Sequence, residues 1–154
     1  MIVTRLDADL AWLFDTIVFI DLERGSSTIE AIFDQVRLER IRVCYSFVTF
    51  LELRLGRAAG RHWTEEERYR VLRPFPMVGL HPALERIALG YQAALEAQNA
   101  KRRDRLSLPG FNDCYIAAGA WRHGLRVLTR NTRHFTLLAG LESGPPDVAF
   151  YRLD

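Results

Sequence analysis

Along the chain, short continuous apolar runs alternate with longer stretches in which apolar residues recur at helical spacing. Leu10 to Asp15 is an apolar run that closes on a carboxylate, and Thr16 to Arg24 continues from it as a helix stopped by Gly25. Ser26 or Ser27 caps a second helix running through Glu39, with Ile29, Ile32, Phe33 and Val36 on one face. Ile41 to Tyr45 reads as a strand. Ser46 is placed to cap a helix from Phe47 to Ala59, and Thr64 with Glu67 has the capping-box spacing for another. Pro74 to Leu80 predicts a short strand, which Pro76 assigns to a sheet edge or an irregular start. Pro82 to Gln98 predicts a long amphipathic helix, and the charged stretch Lys101 to Arg105 follows it. Pro109 and Gly110 mark a loop before a helix from Phe111 to His123, ended by Gly124. Leu125 to Leu128 is a short buried strand and a last helix begins near Thr132. Val148 to Tyr151 closes the pattern after the turn at Gly144, Pro145 and Pro146.

Short apolar strands separated by helices predict a parallel sheet covered on both faces. In such sheets ligands bind beyond the carboxyl ends of the strands, so the residues just after each strand are the ones to follow. The length of 154 residues and an apolar fraction of 49% suit one domain over 1–154 with an ordinary core. No apolar run is long enough to cross a bilayer. Met1 to Trp12 carries Arg5, Asp7 and Asp9, which interrupt any secretory signal, so the expected location is the cytoplasm. Cys44 and Cys114 sit in apolar runs without metal-site spacing and read as buried reduced thiols. The net charge is only +2, yet Lys101 is the sole lysine, so the basic chemistry is that of arginine, which either grips phosphate bidentately or simply replaces lysine through composition bias.

Three acids stand out against this frame. Asp15 ends the first strand, where it can line a mouth or simply cap the following helix. Glu52 lies four residues after Val48 and three before Leu55, on the apolar side of its helix, while Arg54, Arg57 and Arg61 project elsewhere. It either faces inward, at a cost that a cation or donors must offset, or packs its stem and wets its head. Asp113 falls in the first turn of its helix, where the macrodipole alone favours an acid. The small residues Ala117 to Ala120 let that helix lie close to the sheet, carrying Asp113 toward the mouth. Two such carboxylates about 4 Å apart repel by roughly 4 kcal/mol at an effective dielectric near 20. A divalent cation offsets that repulsion, and oxygen-only ligands favour Mg²⁺ or Mn²⁺. Such an ion suits phosphodiester hydrolysis.

Four segments carry a resemblance: Phe14-Asp15-Thr16-Ile17-Val18-Phe19-Ile20-Asp21 running on to Gly25, Ser46-Phe47-Val48-Thr49-Phe50-Leu51-Glu52-Leu53 with Gly56 after it, Asp113-Cys114-Tyr115-Ile116-Ala117-Ala118-Gly119-Ala120, and Gly124 to Phe135. In order and spacing they resemble the PIN-domain ribonucleases, and among these the VapC-type toxins of toxin and antitoxin pairs. The resemblance implies an α/β fold with a central, mostly parallel sheet of four to five strands flanked by helices on both faces. It implies that Asp15, Glu52 and Asp113 hold Mg²⁺, with Mn²⁺ as an alternative, and that Thr129 and Asn131 complete the catalytic set. It further implies an RNA substrate, a small cognate antitoxin and a homodimer, with no membrane association. Many members carry Asn where this chain has Ile17 and a fourth Asp where it has Asn131, and the segment before Asp15 is longer than usual. Arg24, Arg130 and Arg133 are placed to contact RNA phosphates or to be solvated surface arginines. His134 could serve as a general base but reads as packing neutrally beside Phe135, since a metal can activate water itself, and Asp21 reads as a structural salt bridge or a peripheral site acid. A signalling receiver domain would need a lysine after the last strand, and none stands there. A catalytically silent module with the same fold is the alternative that Asn131 keeps open.

Overall fold

The computed structural model of the chain describes residues 1–55, 63–102, 108–145 and 147–154. Its strands are β1 (Ala11–Phe14), β2 (Arg42–Ser46), β3 (Met77–Val78), β4 (Arg126–Thr129) and β5 (Val148–Phe150), paired in the order β3-β2-β1-β4-β5. Every pairing is parallel, so the mostly parallel sheet of the sequence reading is wholly parallel among the described residues. The helices are α1 (Thr16–Glu23), α2 (Ser27–Glu39), α3 (Phe47–Arg54), α4 (Glu65–Leu72), α5 (Pro82–Arg102), α6 (Phe111–His123) and α7 (Thr132–Ala139). Among the described residues no helix is long and apolar enough to cross a membrane.

The alternation of side chains along the strands builds a core on each face of the sheet. Trp12, Phe14, Val43, Tyr45 and Leu128 point to one face and pack with α1 and α2 through Phe19, Ile29 and Ile32. Leu13 and Val127 point to the other and meet α5, α6 and α7 through Leu84, Ile116 and Phe135. The strand order reverses between β1 and β4, because the chain winds outward from β1 to β2 and β3 on one side and to β4 and β5 on the other. The carboxyl ends of these two central strands therefore flank the crevice where such a sheet takes its ligand.

Several elements differ in extent from the sequence expectation. The strand expected over Pro74 to Leu80 shrinks to Met77–Val78, since Pro76 has no N–H for a ladder and only its carbonyl pairs, with the Tyr45 N–H. Helix α3 stops at Arg54 with Leu55 as its C-cap; the expected end at Ala59, with Gly56, Arg57 and Arg61, lies outside the described residues, as do residues 103–105 and Pro146. The long helix reaches Arg102 rather than ending at Gln98. Ser26, not Ser27, caps α2. Both cysteines are free, but Cys44 is half-buried, contrary to the reading of both thiols as buried. The N-terminal residues run alongside β5: Ile2 bridges to Phe150, the Val3 N–H donates to the Phe150 carbonyl and the Phe150 N–H donates to the Met1 carbonyl.

Candidate active site

Asp15 follows β1 directly and caps α1, its Oδ1 accepting the Thr16 N–H at 2.7 Å. Its Oδ2 accepts the Thr129 hydroxyl at 2.7 Å, and that hydroxyl in turn accepts the Asn131 N–H at 2.9 Å. The capping and mouth roles weighed for Asp15 thus coincide. The Asp15 backbone N–H donates to Leu128 at 3.0 Å, which locks the end of β1 to β4. With the carboxyl 4% exposed, burial is the main force raising its pKa, and the neighbouring Asp113 and Glu52 add to it, so that it is pushed up to about 7.

Glu52 reaches the same place from α3. The Thr16 hydroxyl donates to its Oε1 at 3.0 Å and lies 2.9 Å from the Thr49 hydroxyl. Thr16 has one hydroxyl proton, so when it goes to Glu52 the Thr49 hydroxyl must donate to Thr16. A relay Thr49 to Thr16 to Glu52 therefore ties α3 to α1. Asp113, in the first turn of α6, has its Oδ2 2.6 Å from His134 Nδ1. Burial raises its pKa and His134 opposes that rise. The reading of His134 as packing beside Phe135 is thereby corrected: its ring is hydrogen-bonded to Asp113 in the cavity, while Phe135 alone is in the core. Asn131 caps α7, its Oδ1 accepting the His134 N–H at 3.2 Å.

Asp15, Glu52, Asp113 and Asn131 line one polar cavity of about 450 Å³, together with Arg130 and Arg133 and with the apolar Ile17 and Ile20. Thr129 contributes through its bond to Asp15 rather than by lining the wall. Arg24 is not part of this lining. Arg130 is engaged: its Nε and Nη2 donate to Asp21 at 2.7 and 3.0 Å, and the Tyr151 hydroxyl donates to the same carboxylate at 2.7 Å. Asp21 is therefore a salt-bridged, fully buried acid. Thr16, Thr49, His134 and Tyr151 were not singled out as supports by sequence reasoning. Only Thr16, adjacent to Asp15, and Thr49, three residues before Glu52, carried a local sign of their role.

Among the described residues no three His, Cys, Asp or Glu side chains are grouped so as to enclose a metal by themselves. The oxygen donors that share the cavity nevertheless suit a hard cation that keeps part of its water shell, because a buried carboxyl whose ionisation is opposed by two like charges is the place where a cation is most favoured. A second cavity, about 750 Å³, lies away from these acids, at the amino ends of β1 and β2, between α2 and α4. Its walls are apolar, with Phe33, Val71 and Phe75 among them, and Arg37, Arg40, Arg42 and Arg70 stand around it.

The family model of the PIN domain matches residues 12–141. No curated protein matches the chain significantly by sequence. Among solved structures, a toxin-antitoxin complex from Klebsiella pneumoniae aligns with a TM-score of 0.59 at 26% identity, covering 86% of this chain and 94% of that one. VapBC-5 of Mycobacterium tuberculosis, a member of the VapBC family of toxin-antitoxin systems, aligns with a TM-score of 0.53 at 28% identity, covering 93% and 98%. DNA-bound VapBC from Salmonella typhimurium shares the fold, with a TM-score of 0.56 at 21% identity over 92% and 96% of the two chains.

Proposed function

Since the chain belongs to the PIN-domain family, we propose that it is a divalent-metal-dependent endoribonuclease of the VapC type, the toxin of a toxin and antitoxin pair. The observation that carries this reading is the meeting of Asp15, Glu52 and Asp113 around one polar cavity at the switch point of the sheet, with the Asp15 carboxyl resisting ionisation. Asp15, with Glu52 and Asp113, would hold Mg²⁺ or Mn²⁺. Bound there, such an ion would supply Lewis-acid chemistry, polarising a phosphoryl oxygen and lowering the pKa of water.

The remaining groups keep the acids in place. Thr129 and the Thr16 N–H hold the two oxygens of Asp15, Thr16 orients Glu52, and His134 holds one oxygen of Asp113 so that the other is left for the cavity. Asn131 supplies a carbonyl oxygen without charge where a fourth acid would add to the repulsion. Arg130 and Arg133 bring positive charge to the same wall and are assigned to the RNA phosphates. The antitoxin is assigned as the protein partner, and the apolar cavity ringed by arginines between α2 and α4 offers surface for a protein chain. A homodimer is part of the same reading, with Leu80 and Leu89 supplying exposed apolar surface.

The test is cleavage of total cellular RNA with Mg²⁺ or Mn²⁺ by the purified protein, beside the Asp15→Ala and Asp113→Asn variants. Wild-type cleavage is expected to vanish with chelator and in both variants while their circular dichroism stays folded. An Asp15→Ala protein that cuts as fast as wild type would overturn the catalytic assignment. Absence of cleavage by the wild type with either ion would leave the silent module.

A further inference from the structure

Arg130 sits between two residues of the site, Thr129 and Asn131, yet its guanidinium is held by groups outside it. Asp21 lies on α1 and is fully buried, as is Tyr151, the residue after β5. The carboxylate takes Nε and Nη2 of Arg130 at 2.7 and 3.0 Å, and the Tyr151 hydroxyl donates to Oδ2 of the same carboxylate at 2.7 Å while also interacting with the guanidinium. A guanidinium has five N–H donors. Two are spent on Asp21 and one can meet the Tyr151 oxygen, which leaves two donors on a side chain that is 34% exposed and lines the cavity.

We propose that Asp21 and Tyr151 are positioning residues that preset Arg130 as a rigid phosphate clamp on the cavity wall, beside the acids. The inference rests on the nuclease reading above. A free surface arginine gives up its rotamer freedom when it grips a phosphate; Arg130 has given that up on folding, so its grip comes at less entropic cost. The bidentate hold on Asp21 fixes the plane of the guanidinium, and planarity is what a lysine could not reproduce. Arg133, which lines the same cavity, is not needed for the inference. The placement also divides labour: the acids take the metal, while Arg130 supplies a fixed positive charge that a phosphate must meet to reach them.

The consequence is on substrate binding rather than on the chemical step. Steady-state cleavage of a fluorogenic single-stranded RNA that the wild-type protein cuts is measured over a range of salt, for Arg130→Gln, Arg130→Lys, Tyr151→Phe and the double variant Tyr151→Phe/Arg130→Gln. Arg130→Gln is expected to raise KM about tenfold and to flatten the plot of log KM against log salt by about 0.7, one contact on a single strand. Arg130→Lys is expected to raise KM while keeping the wild-type salt slope. Tyr151→Phe, which removes only the hydroxyl, is expected to raise KM roughly threefold with kcat held within twofold, and to add nothing in the Arg130→Gln background. A thermal melt of each variant accompanies the kinetics. If Tyr151→Phe lowers the melting temperature but leaves KM unchanged, or raises KM equally with and without Arg130, the residues are structural only and the inference is overturned. If Arg130→Gln leaves KM and the salt slope at wild-type values in an active enzyme, the clamp is overturned while the nuclease reading stands. A wild-type protein that cuts no RNA overturns both.

Discussion

The Asp15 carboxyl is withdrawn from water, accepts a hydrogen bond at each oxygen and still prefers its proton up to about pH 7. Burial outweighs the two donors, and the like charges of Asp113 and Glu52 reinforce it. The stability consequence has a definite sign. The unfolded chain releases this proton near 3.8 and the folded protein near 7, so between those values the folded state binds the extra proton. The contribution is full below about pH 4, declines as pH rises toward 7 and is gone above it. Metal-free wild-type protein is therefore expected to lose melting temperature across that window relative to Asp15→Asn, which keeps a hydrogen-bonding side chain of the same shape but has no proton to lose. Thermal melts of the two proteins in chelator, from pH 4 to 8, read the difference. Parallel curves would mean that Asp15 ionises in the folded state as easily as in the unfolded chain.

At the level of elements, the site depends on how closely α6 can lie against the sheet. Cys114 to Ala120 is buried throughout, and a Cβ on Gly119 would stand 3.3 Å from Val78 Cγ1 on β3 and 3.9 Å from Leu13 Cδ2 on β1. The first distance is tighter than an ordinary contact, so the helix backbone is seated where a larger side chain has no room. Gly119→Val is expected to destabilise the fold by about 1–3 kcal/mol through overpacking, read as a lowered urea midpoint with an unchanged slope. The same variant should lose more nuclease activity than its residual folded fraction explains, because Asp113 rides on this helix. A fully active Gly119→Val protein of wild-type stability would show that α6 has slack that its packing does not display. The other end of the site is held differently. Helix α3 is secured to α1 by the Thr49, Thr16 and Glu52 relay, and α1 is secured to α4 by Glu23, whose nearly buried carboxylate accepts Arg68 at 2.6 and 3.1 Å and the Trp63 N–H at 3.1 Å. Asp15 and Glu52 are thus carried by elements that are tied to one another.

Over the whole molecule, the parts that could be read from the chain are those written in local pattern. The short apolar runs around Ala11–Phe14 and Arg126–Thr129, the Ser46 cap and the Thr64 capping box, and the glycine stop at Gly124, in left-handed conformation with φ 61°, all lie within a few residues of what they determine. The acids were readable because strand ends and helix faces can be counted. What could not be read depends on strand order. Tyr151 meets Asp21 across 130 positions and Arg130 meets Asp21 across 109, and nothing local says that β5 will lie two strands from β1. The N-terminal segment, for which the chain alone suggested no role, belongs to the same class. It runs beside the last strand, where its backbone pairs with Phe150 and covers an edge that would otherwise be open. Gln35 of α2 anchors it, accepting the Leu6 N–H and donating to the Leu6 carbonyl, both at 2.8 Å, in a buried setting. Replacing Gln35 by Leu leaves both backbone groups of Leu6 without these partners, at about 1–3 kcal/mol for each unmet group. The effect should be directional. Amide exchange of Val3 and Phe150 is expected to accelerate well beyond that of Val127 in the centre of the sheet, because the loss opens the edge first. Since Tyr151 follows β5, the loosened edge should also raise KM for RNA in the manner of Tyr151→Phe, leaving the acids untouched. Exchange that quickens uniformly over the sheet in Gln35→Leu would mean that the segment supports the fold as a whole and has no particular hold on its last strand.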